Sequence, residues 1–476
     1  MKLTQIGFFL GLLVGIAACL SVFSSFLQET DLAMVFYCAA ALLSIVLGKA
    51  LIGNYSNFTV IFLVFSALYS LSGPIAALYG GGIIEIYPTP YMVDEFLMHY
   101  SLAILGLAIG LMLASSISYH RIGSTNISPI WNHRTLLLLA YIFASMASIM
   151  EIANFLRVGG FVTLYAGKAV YQAAVSDLPG NFPSATIMLL STAFLGLSLS
   201  VQSMPIKNRL GRFSLWLALG LPIILSLIIL GERTTLLSII VVLFIGILFF
   251  NPMKIIGLKW IVLVFLIYLS MAFLYGTRSY LGEVLSTGNL SMLLAVIMEP
   301  TFWPRILNPA SNDFCCVFGN FNTYILSGVY DIRLGETYMR DILDPIPRLI
   351  WPDKPQTTWV DFRDTFFPEY AQLGATGGTG YSSVLEAYVN FGTIGVLIVY
   401  LLLGLVMGCL EIVRQRSKSL FFSLFYLLML PMAMLFHRTS MGNPIFWPLL
   451  FSFVGWCLYI LINFIYWRES SINAED

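Results

Sequence analysis

Stretches of about 20 mainly apolar residues, the length a helix needs to cross a bilayer, recur along almost the whole chain. They fall near 5–26, 32–52, 58–80, 97–118, 135–155, 184–202, 213–230, 235–251, 259–277, 393–413, 419–436 and 446–466. Inside hydrocarbon every backbone N–H and C=O needs an internal partner, and runs of this length supply it as α-helices. Composition points the same way: 59% of the 476 residues are hydrophobic and 10% charged, where soluble domains carry about a quarter charged residues. The expectation is an all-α polytopic membrane protein with about twelve transmembrane helices. The first run follows Met1 and Lys2 without a small-residue cleavage signature, so it reads as a helix that stays.

Charge excludes several classes of function. The 24 basic and 24 acidic residues cancel, which leaves no global field to attract nucleic acid. Cys19, Cys38, Cys409 and Cys457 lie in apolar runs and behave as small hydrophobes, while the adjacent Cys315 and Cys316 fit neither a metal site nor a disulfide framework. No P-loop, nucleophile elbow, dinucleotide fingerprint or HExxH occurs. No cofactor and no metal is expected.

Lys and Arg in short connections set the orientation. With both termini in the cytoplasm, Lys49, Arg121, Arg134, the KNRLGR turn (Lys207 to Arg212), Lys254, Lys259, Arg414, Arg416, Lys418 and Arg468 fall on the cytoplasmic side. The one long polar interruption, 278–392, then faces outward. The chain divides into helices 1–9 (1–277), this loop (278–392), and helices 10–12 with a short cytoplasmic tail (393–476). Trp303, Trp351, Trp359 and many Phe and Tyr mark the loop as folded. Helical character is read at 291–300, 320–329 and Glu336 to Leu343, while the prolines at 345, 347, 352 and 355 forbid regular helix. A glycine-dense turn, Gly374 to Ser383, leads into SVLEAYVNFGTIG, an amphipathic entry to the next span.

Arg233, in the connection GERTT, is the cation weighed most heavily, because an arginine near membrane depth has a partner or lines a wet cavity. It either pairs with Glu232 and snorkels, or it presents its fork to an anionic ligand such as a phosphate. His437 beside Arg438 is either a helix cap or a neutral proton acceptor. Arg278, Arg305 and Arg348 join Arg233 and Arg438 in an outward cluster of cations suited to a diphosphate. Asp361 and Asp364 in DFRD would share one helical face, without the company a metal site needs. Trp351 and Tyr381, like Trp303, Trp359 and Tyr338, are side chains on which sugar rings stack, or else members of an interfacial aromatic belt.

About twelve spans, a large loop in the last third, GxR at the end of a mid-chain helix, and PIPRLIWPDKP followed by a glycine-rich turn and EAYVNFGTIG together resemble the Wzy-type O-antigen and oligosaccharide repeat-unit polymerases. The resemblance implies a GT-C-like glycosyltransferase of the bacterial inner membrane with a periplasmic loop. Its donor and acceptor would be undecaprenyl-diphosphate-linked oligosaccharides, with a chain-length regulator as a possible partner and no nucleic acid. The growing glycan would move from its lipid diphosphate to the non-reducing end of a new unit. Arg233, Arg278, Arg348 and Arg438 would hold the diphosphate, and Glu232, Glu386 or His437 would deprotonate the acceptor. An O-antigen ligase is the nearest alternative, although it usually shows a histidine in the large loop and 278–392 contains none. A flippase of lipid-linked sugars is a second alternative, against which stand the clean helices and the single long loop.

Overall fold

The computed structural model describes residues 2–52, 57–79, 92–119, 131–160, 184–201, 233–249, 269, 273, 277, 284, 289–303, 313–329, 331–344, 346, 351, 353–369, 380–417, 419–441 and 443–472. No strand occurs among them. The helices are α1 (Lys2–Phe26), α2 (Thr30–Ile52), α3 (Phe58–Tyr79), α4 (Val93–Tyr119), α5 (His133–Arg157), α6 (Ser184–Val201), α7 (Arg233–Ile247), α8 (Leu290–Met298), α9 (Cys316–Leu326), α10 (Glu336–Leu343), α11 (Thr358–Phe366), α12 (Ser383–Arg416), α13 (Leu420–Met429), α14 (Met432–Leu435) and α15 (Asn443–Ile472). Eight of these, α1 to α6, α12 and α15, are long and apolar enough to cross a membrane. Two shorter apolar stretches, Leu236–Ile247 and Leu420–Leu435, match expected spans as well. The segment expected at 213–230 lies outside the described residues, as does that at 259–277 apart from 269, 273 and 277.

Two spans differ from the sequence reading. The single helix expected at 419–436 is broken between α13 and α14 at Pro431, which has no N–H to donate and whose ring clashes with the preceding turn. The span expected to start at 393 begins instead at Ser383, where the Ser382 hydroxyl accepts the Leu385 N–H at 3.2 Å as an N-cap. It carries a kink at Gly392, with φ 67° and ψ −165°. That backbone region is accessible in practice only to glycine.

The core is built on close contact between α4 and α12. Gly106 and Gly110 on α4, four residues apart, lie against the 397–405 backbone of α12, and Gly404 and Gly408 on α12, also four apart, lie against Leu107 and Ala114 of α4. A Cβ on Gly106, Gly110 or Gly404 would run into the backbone carbonyl of Leu397, Leu401 or Leu107. Small residues at this spacing let helix backbones approach where lipid offers no hydrophobic drive to association. α1, α2 and α3 pack around this pair, and α5, α6, α7, α13 and α15 form the neighbouring group.

The two ends of the bundle differ. At the far end, Glu411 near the end of α12 accepts the Phe58 N–H at 2.8 Å and the Tyr426 hydroxyl at 2.7 Å, and its other oxygen accepts Arg414 Nε at 3.0 Å. The Arg414 guanidinium also lies over the rings of Tyr426 (5.2 Å) and Phe249 (5.9 Å). Both charged side chains are buried. At the other end, the loop end, α9, α10 and α11 pack onto the starts of α4 and α12 and the last turns of α3. There Met92 N–H donates to Asn322 Oδ1 at 2.8 Å, and Phe96 meets Phe318 at 4.9 Å.

Candidate active site

The kink at Gly392 builds the loop end. A helix broken there leaves the carbonyls of residues 389 and 390 without their usual partners four residues on. The extended segment before α10 takes them: Arg333 N–H donates to Val389 O at 3.1 Å and Leu334 N–H to Asn390 O at 3.0 Å. The Asn390 side chain completes the clamp, accepting the Gly335 N–H at 2.9 Å and donating to Thr337 Oγ1 at 2.6 Å and Glu386 O at 2.8 Å. Helix α10 is thereby fixed against the first turns of α12.

Its inward face is polar. Thr337 and Asp341, one turn apart, are both buried, whereas Met339 and Ile342 on the opposite face are exposed. Thr337 donates to Glu386 Oε1 at 2.8 Å, and Met441 N–H donates to Glu386 Oε2 at 2.5 Å. Glu386 itself is 0% exposed, and among the described residues no cation lies within ion-pair distance of it. Thr358, at the start of α11, places its hydroxyl 3.0 Å from Asp341 Oδ1 and 3.2 Å from Thr337 O. Asp341 Oδ2 and Ser440 Oγ are buried and have no hydrogen-bond partner among the described residues. Burial pushes the Asp341 carboxyl above the usual carboxylate range, while the nearby Ser440 and Thr358 hydroxyls pull the other way. Ser440 thus sits close enough to favour the charge without closing a hydrogen bond. Burial also pushes the Tyr338 and Tyr381 hydroxyls up, so both stay protonated, and that of Tyr338 has no hydrogen-bond partner among the described residues.

A rim of ion pairs surrounds this interior. Arg333 and Arg340 both reach Asp361 Oδ2, at 3.1 and 2.9 Å, and Arg340 also reaches Glu336 at 2.5 Å. Lys354 pairs with Asp344 at 3.0 Å, and Arg363 pairs with Asp364 at 2.7 Å. The DFRD acids do lie on one helix, and each holds arginine. Among the described residues no group of three or more His, Cys, Asp or Glu is placed to hold a metal.

Of the residues singled out from the sequence, the structure brings Glu386 and Tyr381 into this interior, with Arg438 and His437 on the turn just before Ser440. The Tyr381 ring packs 4.9 Å from Phe362. His437 is buried, with Nε2 3.3 Å from Phe62 O and its ring 4.6 Å from that of Phe62. Trp351 is partly exposed. Arg233 is the first residue of α7, and α7 runs toward Phe249, which contacts Arg414 at the far end. The start of α7 therefore lies toward the loop end. Glu232, Arg278, Arg305 and Arg348 lie outside the described residues. Sequence reading passed over Thr337, Asp341, Asn390 and Ser440, which are ordinary polar residues until folding joins them. It also passed over His99, buried in α4 with Nδ1 2.7 Å from Glu95 O and Nε2 3.1 Å from Thr393 Oγ1, beside the kink. The signal available for His99 was an ionisable side chain within an apolar run.

No curated protein and no solved structure matches the chain. A family model does, over residues 328–469. That stretch contains every residue of the Glu386 interior, from Arg333 to Met441, and also Glu411, Arg414 and Tyr426; Phe58, Phe249 and Arg233 lie outside it. The matching model describes the O-antigen polysaccharide polymerase Wzy, so residues 328–469 are similar to that family, in agreement with the resemblance read from the sequence.

Proposed function

We propose that the protein polymerises undecaprenyl-diphosphate-linked oligosaccharide repeat units at the periplasmic face of the bacterial inner membrane. One observation carries this reading: the family match falls on the segment that folds into the buried acid cluster at the loop end of a membrane-spanning bundle. The acceptor hydroxyl at the non-reducing end of a new unit attacks the anomeric carbon of the growing glycan, and the lipid diphosphate leaves with the bonding electron pair. Arginines favour that step by meeting negative charge as it develops, each charge-assisted bond contributing roughly 1.5 to 3 kcal/mol. Arg233, Arg278, Arg348 and Arg438 are proposed for this role, with Arg305, Trp351 and Tyr381 contributing to glycan binding.

The test is direct. Protein purified into nanodiscs is incubated with a synthetic undecaprenyl-diphosphate repeat unit, without nucleotide sugar or divalent metal, and the products are run on a gel. A ladder supports the reading. Release of lipid diphosphate with transfer only to an added lipid A core would replace it with the ligase reaction, and no turnover with any acceptor would favour transport.

A further inference from the structure

The loop-end interior holds two carboxyls, and their lone pairs are used differently. Both oxygens of Glu386 are occupied, one by the Thr337 hydroxyl and one by the Met441 N–H. Each Glu386 oxygen therefore already accepts one hydrogen bond, and its remaining lone pair is all that a proton could use. Asp341 has one oxygen occupied by Thr358, while among the described residues its other oxygen, Oδ2, has no hydrogen-bond partner, and neither has the Ser440 hydroxyl beside it. Both residues are nearly fully buried, at 1% and 0% exposure. Buried polar atoms without partners are rare and call for a water, an ion or a functional role.

The geometry points to Asp341, and not Glu386, as the carboxylate that accepts the proton of the acceptor hydroxyl in the proposed transfer, with Ser440 positioning its free oxygen. This inference rests on the polymerase reading. In the step, the acceptor O–H bond breaks as the new O–C1 bond forms. The C1–O bond to the diphosphate breaks with its electron pair, and the proton comes to rest on Asp341 Oδ2. Glu386 keeps both of its hydrogen bonds and holds α10 and the 437–441 turn in register. The groups facing Asp341 are Tyr338 and Asp344 from α10 and its end, Thr358 and, on the next turn of α11, Asp361 with its two arginines. Glu386 and Tyr381 face it from the start of α12, and Ser440 from the turn. The raised affinity of this buried carboxyl for protons suits it to the work.

Ladder formation in nanodiscs is measured for wild type, Asp341→Asn and Ser440→Ala, across the pH range in which each stays folded. Asp341→Asn keeps the oxygen that Thr358 uses, and its rate is expected to fall by about 100-fold or more, the contribution of a general base. Ser440→Ala is expected to keep a measurable rate while the acid limb of its pH profile moves to higher pH, because the hydroxyl that favours the charge is gone. A merely structural role for either residue would leave that limb in place. An Asp341→Asn rate within about twofold of wild type with an unchanged profile would overturn the inference alone. If Asp341→Asn does not fold, Ser440→Ala decides, and an unmoved limb overturns it. A wild type that forms no ladder overturns the reaction, and this assignment with it.

Discussion

Helix α12 buries two glutamates, Glu386 and Glu411, separated by about 37 Å of helix. Glu411 meets a guanidinium, a phenol and a backbone N–H, so its charge is neutralised and its hydrogen bonding complete. Among the described residues Glu386 meets neutral donors alone, next to a second carboxyl with an unpartnered oxygen. Side chains of the same type on one element are thus put to opposite ends. A buried ion pair with complete hydrogen bonding fixes the packing of α3, α12 and α13 at the far end. Acids without a counter-ion among the described residues, at the end where the loop folds back, keep proton-binding capacity in reserve, a costly arrangement that proteins tend to keep for chemistry.

The sharpest way to break the comparison is at Glu411. Glu411→Ala strands Arg414 in the interior and is expected to cost about 3 to 5 kcal/mol, read as a lowered thermal transition in detergent. Glu411→Leu combined with Arg414→Met removes both charges and is expected to recover most of that loss. If the double variant is no more stable than the single one, the far-end network is not a simple ion pair and the contrast with Glu386 fails.

The kink separates the two regimes, and Gly392 is the next target. Its φ/ψ pair suits glycine alone, and a Cβ there meets nothing within 4 Å. The cost of Gly392→Ala is therefore backbone strain, of order 1 to 3 kcal/mol. Gly392→Asn is expected to do no better, since asparagine tolerates the left-handed helical region and not this one. An asparagine variant as stable as wild type would show that the kink relaxes, and that the contacts of Arg333 and Leu334 with the carbonyls of 389 and 390 do not depend on it.

How much of this was legible in the chain depends on the physics behind each feature. Bilayer thickness forces the spans, so α1 to α6 lie where apolar runs predicted them, within a few residues. Helix α10 matched its predicted limits, Glu336 to Leu343. The break at Pro431 carried its signal in the sequence, and so did the paired GxxxG spacings of α4 and α12, which were not read as a seam. Arg414 reads as a cytoplasmic cation, and Glu411, inside the run 393–413, goes unremarked. An acid closing an apolar run is a cue that a partner waits inside. The site was harder to see, because Thr337, Asp341, Thr358, Asn390 and Ser440 span more than a hundred residues and no local spacing links them. Glu386 stood out only as the acid of the EAYVNFGTIG run, and its partners became visible once α10 docked on α12.

At Glu386 itself a smaller effect is expected. Glu386→Gln keeps the size and one acceptor for the Met441 N–H, and the Thr337 hydroxyl can turn to accept from the new amide. The loss should be about 1 kcal/mol, well below that of Glu411→Ala. A loss as large as that of Glu411→Ala would mean that Glu386 carries a counter-ion among residues not described here, and the two acids would no longer differ in kind.

The rim supplies the smallest effect. Arg333 and Arg340 share one oxygen of Asp361, but each of the three is a quarter to a third exposed. Water and salt screen such pairs, and the arginines lose side-chain freedom to form them, so Asp361→Asn is expected to change stability by about 1 kcal/mol or less. The difference from wild type should vanish in high salt, whereas the Glu411→Ala loss should persist there, because a buried pair is screened much less. Following both variants by thermal unfolding at low and high salt places the boundary between the two kinds of charge. If the Asp361→Asn deficit persists in salt, the rim is as closed as the far end, and α10 is locked by its ion pairs as firmly as by the polar contacts beneath it.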